Sequence, residues 1–450
     1  MKIVILGDGK VGSTLVKYLS EEGHDVTVID KDPKIIENMV NNYDVLGICG
    51  NGATFDIQKE AGVDKARLFI AATSSDELNV MCCMIAKKIG AHHTIARVRN
   101  PEYSKQLHFL KEELGLSMVV NPELEAANEI SRILRFPSAI KIDSFAKGRV
   151  ELAEIKIGEN NPLINRPISD IYKSYKVSIL VCAVQRKENV FIPSGDFVLE
   201  CGDKISITAT RKELSSFMKQ LGTYKHSGKH TMIIGGGKIG FYLASQLVEI
   251  GYKVKIIEIN KDRCIELSNL LPKAEVICSD GTDEEVLKEN GVEEQDAVVC
   301  LTKIDEENII TSLYVSTLGV KKTVTKVNRV SNEMLGSIGV ESVISPKQIA
   351  SNRIARYIKA LSNSEGSSVQ TMYNLLEGKV EALEFHIEKE REFTGVTFKD
   401  LQMKDNLIIC CLIRNNKLIF PRGDDTMEVG DNVIVITNNQ RINSLEDIFE

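Results

Sequence analysis

The chain has 450 residues, 43% of them hydrophobic and 26% charged, and carries a formal net charge of −7. That length and composition suit three or four ordinary globular domains and exclude disordered and collagen-like classes. An acidic chain with no Lys/Arg block cannot neutralise a phosphate backbone, so nucleic acid is excluded as a partner.

The first predicted strand, Lys2–Leu6, opens the chain directly, so no secretory signal is expected. Gly7-Asp8-Gly9-Lys10-Val11-Gly12 follows, and a helix is predicted from Val11. A glycine set between a strand and a helix is the context of a dinucleotide site. The first glycine permits the tight turn, the second admits a pyrophosphate, and the third lets helix and strand pack closely. The helix N-terminus supplies free N–H groups and partial positive charge. The next predicted strand, Val26–Asp30, ends 23 residues after Gly7 on a carboxylate that can accept hydrogen bonds from both ribose hydroxyls.

Further strands are predicted at Val45–Cys49, Leu68–Ala72, Thr94–Val98 and Met118–Val120, with a helix over Glu77–Ile89. Alternating β and α segments imply a parallel sheet covered on both faces by helices. In such a sheet ligands lie beyond the carboxyl ends of the strands, where strand order reverses. Gly7–Gly12, Asp30, Thr73 and Arg97 should therefore ring one mouth. Thr73-Ser74-Ser75 also reads as a plain helix N-cap region ahead of Asp76 and Glu77. Arg97 and Arg99 also read as a solvated sheet end. A helix over Glu123–Phe136, stopped by Pro137, carries the apolar stripe Ile130, Ile133 and Leu134.

From about Arg149 to Leu221 the pattern becomes β-rich, with strands at Val177–Val184, Val190–Ile192 and Lys204–Thr210 and a turn at Pro193-Ser194-Gly195-Asp196. This reads as a small α+β module. It contains no histidine, and Gly222–Lys229 reads as a linker.

The plan then repeats. Gly235-Gly236-Gly237-Lys238-Ile239-Gly240 lies 228 positions after the first glycine loop, and Glu258 lies 228 after Asp30. Thr73, Asp76, Glu77 and Asn79 return 229 positions on as Thr302, Asp305, Glu306 and Asn308. Pro193-x-Gly195-Asp196 and Gly202-Asp203 return 228 positions on as Pro421-x-Gly423-Asp424 and Gly430-Asp431. One offset held across separate motifs marks a duplication. The predicted fold class is α/β: two tandem Rossmann-like, doubly wound parallel-sheet domains, each followed by a small α+β module. The expected domains are residues 1–136, 137–222, 229–361 and 369–450. The helix that matches Glu123–Phe136 is expected from about Gln348 to Leu361.

Ten cysteines include the adjacent pairs Cys82/Cys83 and Cys410/Cys411 but no C-x-x-C. With Cys49, Cys182, Cys201, Cys264, Cys278 and Cys300 scattered, all are expected to be buried, reduced thiols and not metal ligands or disulfides. His92 and His93 have no repeated counterpart and are expected at the surface. The apolar runs Ile179–Val184 and Leu407–Ile413 are far shorter than the ~20 residues of a membrane span. An oxidoreductase would need a substrate domain with a positioned acid or base, and the small modules offer little of the kind, so no catalytic residue is expected.

The duplicated plan, the GDGKVG and GGGKIG loops, the T-x-x-D-E-x-N segments and Arg97-Val98-Arg99-Asn100-Pro101-Glu102-Tyr103 together resemble the peripheral NAD-binding subunits of the Trk potassium-uptake system. In that family each half pairs an RCK (KTN) nucleotide-binding domain with a C-terminal RCK module. The resemblance covers nearly the whole chain. It implies a cytoplasmic regulator that binds NAD(H), with ATP or ADP as alternatives in the first half. It also implies a homotetramer forming a ring of eight RCK domains beneath a TrkH-like, potassium-conducting membrane subunit. By similarity Gly7, Asp8, Gly9, Lys10, Val11, Gly12 and Asp30 contact nucleotide, with Thr73 and Arg97 nearby. Gly235, Gly237, Lys238, Ile239, Gly240, Glu258 and Thr302 are their counterparts. Lys326 stands where Arg97 predicts arginine, and Asn328 where Arg99 does. The second half is therefore expected to grip a triphosphate less selectively.

Overall fold

The computed structural model describes residues 1–7, 9–103, 106, 111, 113–135, 139–145, 150–159, 161–221, 229–329, 336, 339–340, 342–363, 369–376, 379–415, 417–438, 442 and 444–450. Of the candidate site residues, Asp8 lies outside them, and the side chain of Lys10 is likewise undescribed.

The first half begins with β1 (Lys2–Leu6), α1 (Lys10–Glu21), β2 (Asp25–Asp30), α2 (Pro33–Asn42), β3 (Leu46–Cys49), α3 (Phe55–Glu60), β4 (Leu68–Ala71), α4 (Asp76–Ile89), β5 (His93–Arg97), β6 (Met118–Val120) and α5 (Pro122–Arg135). The strands form a six-stranded sheet in the order β3-β2-β1-β4-β5-β6, parallel throughout. β1 and β4 lie in the middle and are almost wholly buried, as continuous apolar runs covered on both faces must be. The chain crosses from β3 past β1 to β4, so strand order reverses between β1 and β4. Residues leaving these two strands therefore share one mouth.

A five-stranded antiparallel sheet follows, in the order β10-β9-β11-β8-β7. Its elements are β7 (Ala139–Phe145), β8 (Val150–Lys156), α6 (Ile168–Tyr175), β9 (Ile179–Arg186), β10 (Asn189–Phe191), β11 (Lys204–Ala209) and α7 (Arg211–Gln220). The module thus begins earlier than Arg149, because β7 pairs with β8.

The second half repeats both layers. β12 (His230–Ile234), α8 (Lys238–Glu249), β13 (Lys253–Glu258), α9 (Lys261–Leu270), β14 (Glu275–Cys278), α10 (Glu284–Glu289), β15 (Ala297–Cys300), α11 (Asp305–Thr317), β16 (Lys322–Lys326), β17 (Val343–Ile344) and α12 (Pro346–Asn363) build the parallel sheet β14-β13-β12-β15-β16-β17. β18 (Val369–Leu375), β19 (Val380–His386), β20 (Leu407–Arg414), β21 (Lys417–Ile419) and β22 (Asn432–Thr437) build the antiparallel sheet β18-β19-β22-β20-β21.

The halves do not fold as separate bodies. One compact unit joins Met1–Ile130 to Lys229–Ala355, and a second joins Ser131–Gly228 to Arg356–Glu450. Like packs with like. In the first unit the Asn121 amide nitrogen donates to the Tyr242 hydroxyl at 3.0 Å, and that hydroxyl donates to the Arg99 carbonyl at 3.1 Å. Gln246 donates to Asn128 at 2.8 Å, and Arg353 is ion-paired with Glu125. Glu125 and Asn128 of α5 thus carry contacts between the two halves of one chain.

In the second unit Val150, Leu152, Cys182 and Ala183 share one core with Leu375, Val380, Cys410 and Cys411. The Cys182 and Cys410 sulfurs, 228 positions apart in sequence, approach to 3.9 Å. Each module is also braced by an ion pair. Arg186 grips buried Asp203 with two 2.8 Å hydrogen bonds, and Arg414 grips buried Asp431 at 2.8 and 2.7 Å. The aspartates accept from the Glu200 and Glu428 backbone N–H groups, each at 2.8 Å. Such bidentate charge-assisted pairs fix geometry as well as adding energy.

All ten cysteines are free, but only seven are buried, which corrects the expectation for Cys49, Cys201 and Cys278. Cys49 and Cys278 end edge strands at the rim of the parallel sheets, and Cys201 sits in a turn. His92 is exposed, whereas His93 is partly buried at the start of β5.

Candidate functional site

In both halves the glycine loop has the geometry its spacing predicts. Gly7 and Gly235 have φ of +91° and +105°, a region costly for any residue with a Cβ. A Cβ on Gly12 would lie 2.1 Å from the Gly7 carbonyl oxygen, and one on Gly240 would lie 2.4 Å from that of Gly235. Helix and strand approach too closely there for any side chain. α1 and α8 are N-capped by Gly9 and Gly237, which have no side-chain acceptor, and neither first turn holds an acid. The first-turn N–H groups of both helices precede the first intrahelical bond, so an anion is the natural partner. A Cβ on Gly237 would meet nothing within 4 Å, so the loop faces open space. Val11 and Ile239 are buried, so they can offer a ligand only backbone. Lys238 is exposed at the helix start.

The T-x-x-D-E-x-N residues fasten the other side of the mouth. The Asn79 side-chain oxygen accepts from the Thr73 N–H at 2.8 Å and the Thr73 hydroxyl at 2.7 Å. Its amide donates to the Thr73 and Arg97 carbonyls at 3.2 and 2.9 Å. One buried side chain therefore clamps the ends of β4 and β5 together. Asp76 accepts from the Arg99 and Asn100 N–H groups, both at 2.8 Å, and pairs with the Arg99 guanidinium at 3.2 Å. Ser75 is the N-cap, accepting from the Leu78 N–H at 3.1 Å. The N-cap reading of this segment is correct, though incomplete, since Asn79 and Asp76 bond to a different strand.

The second half reproduces the clamp. Asn308 accepts from the Thr302 N–H at 2.8 Å and donates to the Lys326 carbonyl at 3.1 Å. Asp305 accepts from the Asn328 and Arg329 N–H groups at 2.7 and 3.1 Å. Lys326 donates to the Thr302 carbonyl, the contact Arg97 makes with Thr73 at 3.4 Å. Arg97 also lies 3.7 Å from Glu123. Burial pulls its pKa below the usual guanidinium value, with the Glu123 charge opposing.

The two acids share one backbone contact, from the N–H two residues further on. Asp30 accepts from the Asp32 N–H at 3.0 Å. Glu258 reaches into its own glycine loop, accepting from the Gly236 N–H at 2.7 Å and the Asn260 N–H at 2.9 Å. Arg263, on the first turn of α9, donates to the Gly236 carbonyl at 2.7 Å and lies 6.0 Å from the Phe241 ring centre. Ile35 and Ser13 stand 228 positions before these two. The second half therefore places a guanidinium and an aromatic ring beside its glycine loop where the first half has isoleucine and serine.

Each mouth thus gathers its glycine loop, its strand-two acid and its threonine at the carboxyl edge of one sheet. Asn121, Tyr242 and Arg263 were missed, because their partners lie in the other half or they have no repeated counterpart. Arg186 and Arg414, the partners of the repeated Asp203 and Asp431, were also missed, although they stand at the same 228-residue offset.

The TrkA-N domain family matches residues 3–122 and 231–346, and the TrkA-C domain family matches residues 152–222 and 382–450. A Trk system potassium uptake protein TrkA homolog of Archaeoglobus fulgidus is 32% identical over the whole of both chains. The Trk system potassium uptake protein TrkA of Halomonas elongata is 29% identical over all of this chain and 99% of its own. Among solved structures, the GsuK channel superposes with a TM-score of 0.66 at 18% identity, covering 97% of this chain and 76% of that one. The GsuK channel bound to NAD gives 0.64 at 17% identity, with the same coverage of each chain. These structural likenesses establish the fold.

Proposed function

The chain belongs to the TrkA family of Trk-system potassium uptake proteins, and from that membership we propose that it is a non-catalytic, cytoplasmic, nucleotide-sensing subunit that gates a potassium-uptake transporter. NAD(H) binds in both glycine loops, and ATP or ADP competes in the first. Gly7–Gly12 and Gly235–Gly240 receive the pyrophosphate, Asp30 and Glu258 the ribose, and Thr73, Arg97 and Thr302 line the far side.

The observation that carries this reading is the pair of uncapped helix N-termini, each beside a positive-φ glycine and a strand-end carboxylate. A negative diphosphate fits that donor set. Among the described residues no helix is long and apolar enough to cross a membrane, so attachment through a membrane partner is part of the proposal. So are the division into residues 1–136, 137–222, 229–361 and 369–450, and assembly of four chains into a ring of eight nucleotide domains.

Cofactor selectivity tests the site. A 2′-phosphate about 4 Å from either carboxylate would cost roughly 1–4 kcal/mol, depending on the effective dielectric. NAD(H) should outcompete NADP(H) by about fivefold to several hundredfold. The chain has no tryptophan, so NADH fluorescence can be followed against little protein background. Equal affinities would remove the acids from the ribose. Gating is tested by potassium uptake through the co-purified membrane partner with NADH or ATP, which should differ between the two nucleotides.

A further inference from the structure

Cys264 and Cys278 meet beside the acid of the second mouth. Cys264, on α9, donates its thiol to the Glu258 carbonyl at 3.2 Å. Cys278 ends β14 and stands directly opposite Glu258 in the strand register. α9 packs against β14, so Glu258 is the common neighbour of both cysteines. Cys278 is exposed, whereas Cys264 is buried. Burial, reinforced by the contact with Cys278, pushes the Cys264 thiol up to about 11, so Cys264 stays protonated as the donor.

The first half supplies an internal contrast. Cys49 occupies the position of Cys278 and is likewise exposed at the end of its strand. The position of Cys264 is held by Ile36, which is buried. An exposed thiol with a thiol neighbour can be resolved to a disulfide. One with an isoleucine neighbour stops at a mixed adduct.

We propose that Cys264 and Cys278 are a reversible thiol–disulfide modification site, oxidised by a small-molecule disulfide such as oxidised glutathione. The Cys278 sulfur attacks one sulfur of the small disulfide, whose S–S bond breaks and releases one small thiol that takes up the Cys278 proton. Cys264 then loses its proton to water, and its sulfur attacks the Cys278 sulfur and displaces the second small thiol, which is protonated in turn. Two protein thiols are oxidised and one small disulfide is reduced to two thiols. The new bond ties α9, and with it Arg263, to the strand beside Glu258. A ribose held by Glu258 would cover Cys278, so NADH should slow the reaction. That consequence rests on the proposed nucleotide site, whereas the oxidation itself does not.

The test uses the full-length, fully reduced chain. It is incubated with oxidised glutathione, with and without NADH, then alkylated, and its peptides are weighed without reduction. Cys49 should carry glutathione. Cys278 should appear joined to Cys264, in a species lighter by two hydrogens than its separate peptides. Cys264→Ser should convert Cys278 to a stable glutathione adduct like that of Cys49. Wild-type Cys278 left unmodified, or accumulating as the adduct to the extent of Cys49, would overturn the proposal. Linkage that forms equally fast with NADH would leave the disulfide standing and remove the ribose from Glu258. Cys201, in the other compact unit, is the exposed reference for both rates.

Discussion

The Tyr242 hydroxyl takes a hydrogen bond from Asn121 at 3.0 Å and gives one to the Arg99 carbonyl at 3.1 Å. Tyr242 lies on the helix that leaves the second glycine loop. Asn121 and Arg99 follow the ends of β6 and β5 at the mouth of the first. One buried phenol therefore ties the wall of one candidate site to the helix of the other.

Tyr242→Phe should leave the Asn121 amide and the Arg99 carbonyl buried without that partner, lowering stability by about 1–3 kcal/mol. It should also weaken cross-talk, so that nucleotide at one loop shifts affinity at the other less than in the wild type. Urea denaturation and paired ATP and NADH titrations measure the two effects. Unchanged stability would show that the contact is dispensable.

Gly240→Ala and Gly237→Ala separate folding from binding. A methyl at Gly240 meets the Gly235 carbonyl oxygen at 2.4 Å, so the helix must shift, at a cost of about 1–3 kcal/mol. A methyl at Gly237 meets nothing within 4 Å, so the fold should be unaffected. If a pyrophosphate packs over that glycine, NADH affinity at the second half should still fall by roughly tenfold or more. Calorimetric melting and NADH titration should therefore rank the two variants in opposite order.

Asp203→Asn and Asp431→Asn each remove the buried partner of a bidentate arginine. Loss of about 2–4 kcal/mol is expected for each, as for other broken buried pairs. The arginines are partly exposed, which keeps the figure below the full penalty. Chemical denaturation measures it, and nucleotide affinity in the first unit should not move. A change within 0.5 kcal/mol, the range of ordinary surface substitutions, would show that the pair contributes little.

His24, between α1 and β2, has a pKa held below the usual 6.5, chiefly by burial. A folded-state value below the unfolded one means that the unfolded chain binds more protons near pH 6. Stability should therefore be complete above pH 6.5 and fall as pH drops through that value. His24→Gln should flatten the slope between about pH 7 and 5.5 in melting curves. An unchanged slope would place the titrating group elsewhere.

Much of this protein is legible in the sequence because its signals are local. Gly7 to Gly12 and Gly235 to Gly240 encode a turn whose φ and close packing exclude side chains, and the structure has that turn twice. Apolar runs marked Lys2–Leu6 and Leu68–Ala72 as strands, and the fold buries them at the centre of the sheet, where parallel strands are covered on both faces. The constant offset carried the duplication.

What the sequence alone could not show is what packs against what across long separations. Asn79 reads as a polar helix residue until the fold brings the carbonyls of Thr73 and Arg97 around it. Duplication gives the order of the modules along the chain, and the fold joins equivalent modules from opposite halves into the same unit. Surfaces that bury apolar area against each other need no pattern linking them in sequence. Cys182 and Cys410, or Asn121 and Tyr242, become neighbours only when both folded layers are present. Cys49 and Cys278 carry the same lesson with the opposite sign. They sit in apolar runs that read as buried, but an edge strand's last residue faces the rim, and only the tertiary order of strands decides which run lies at the edge.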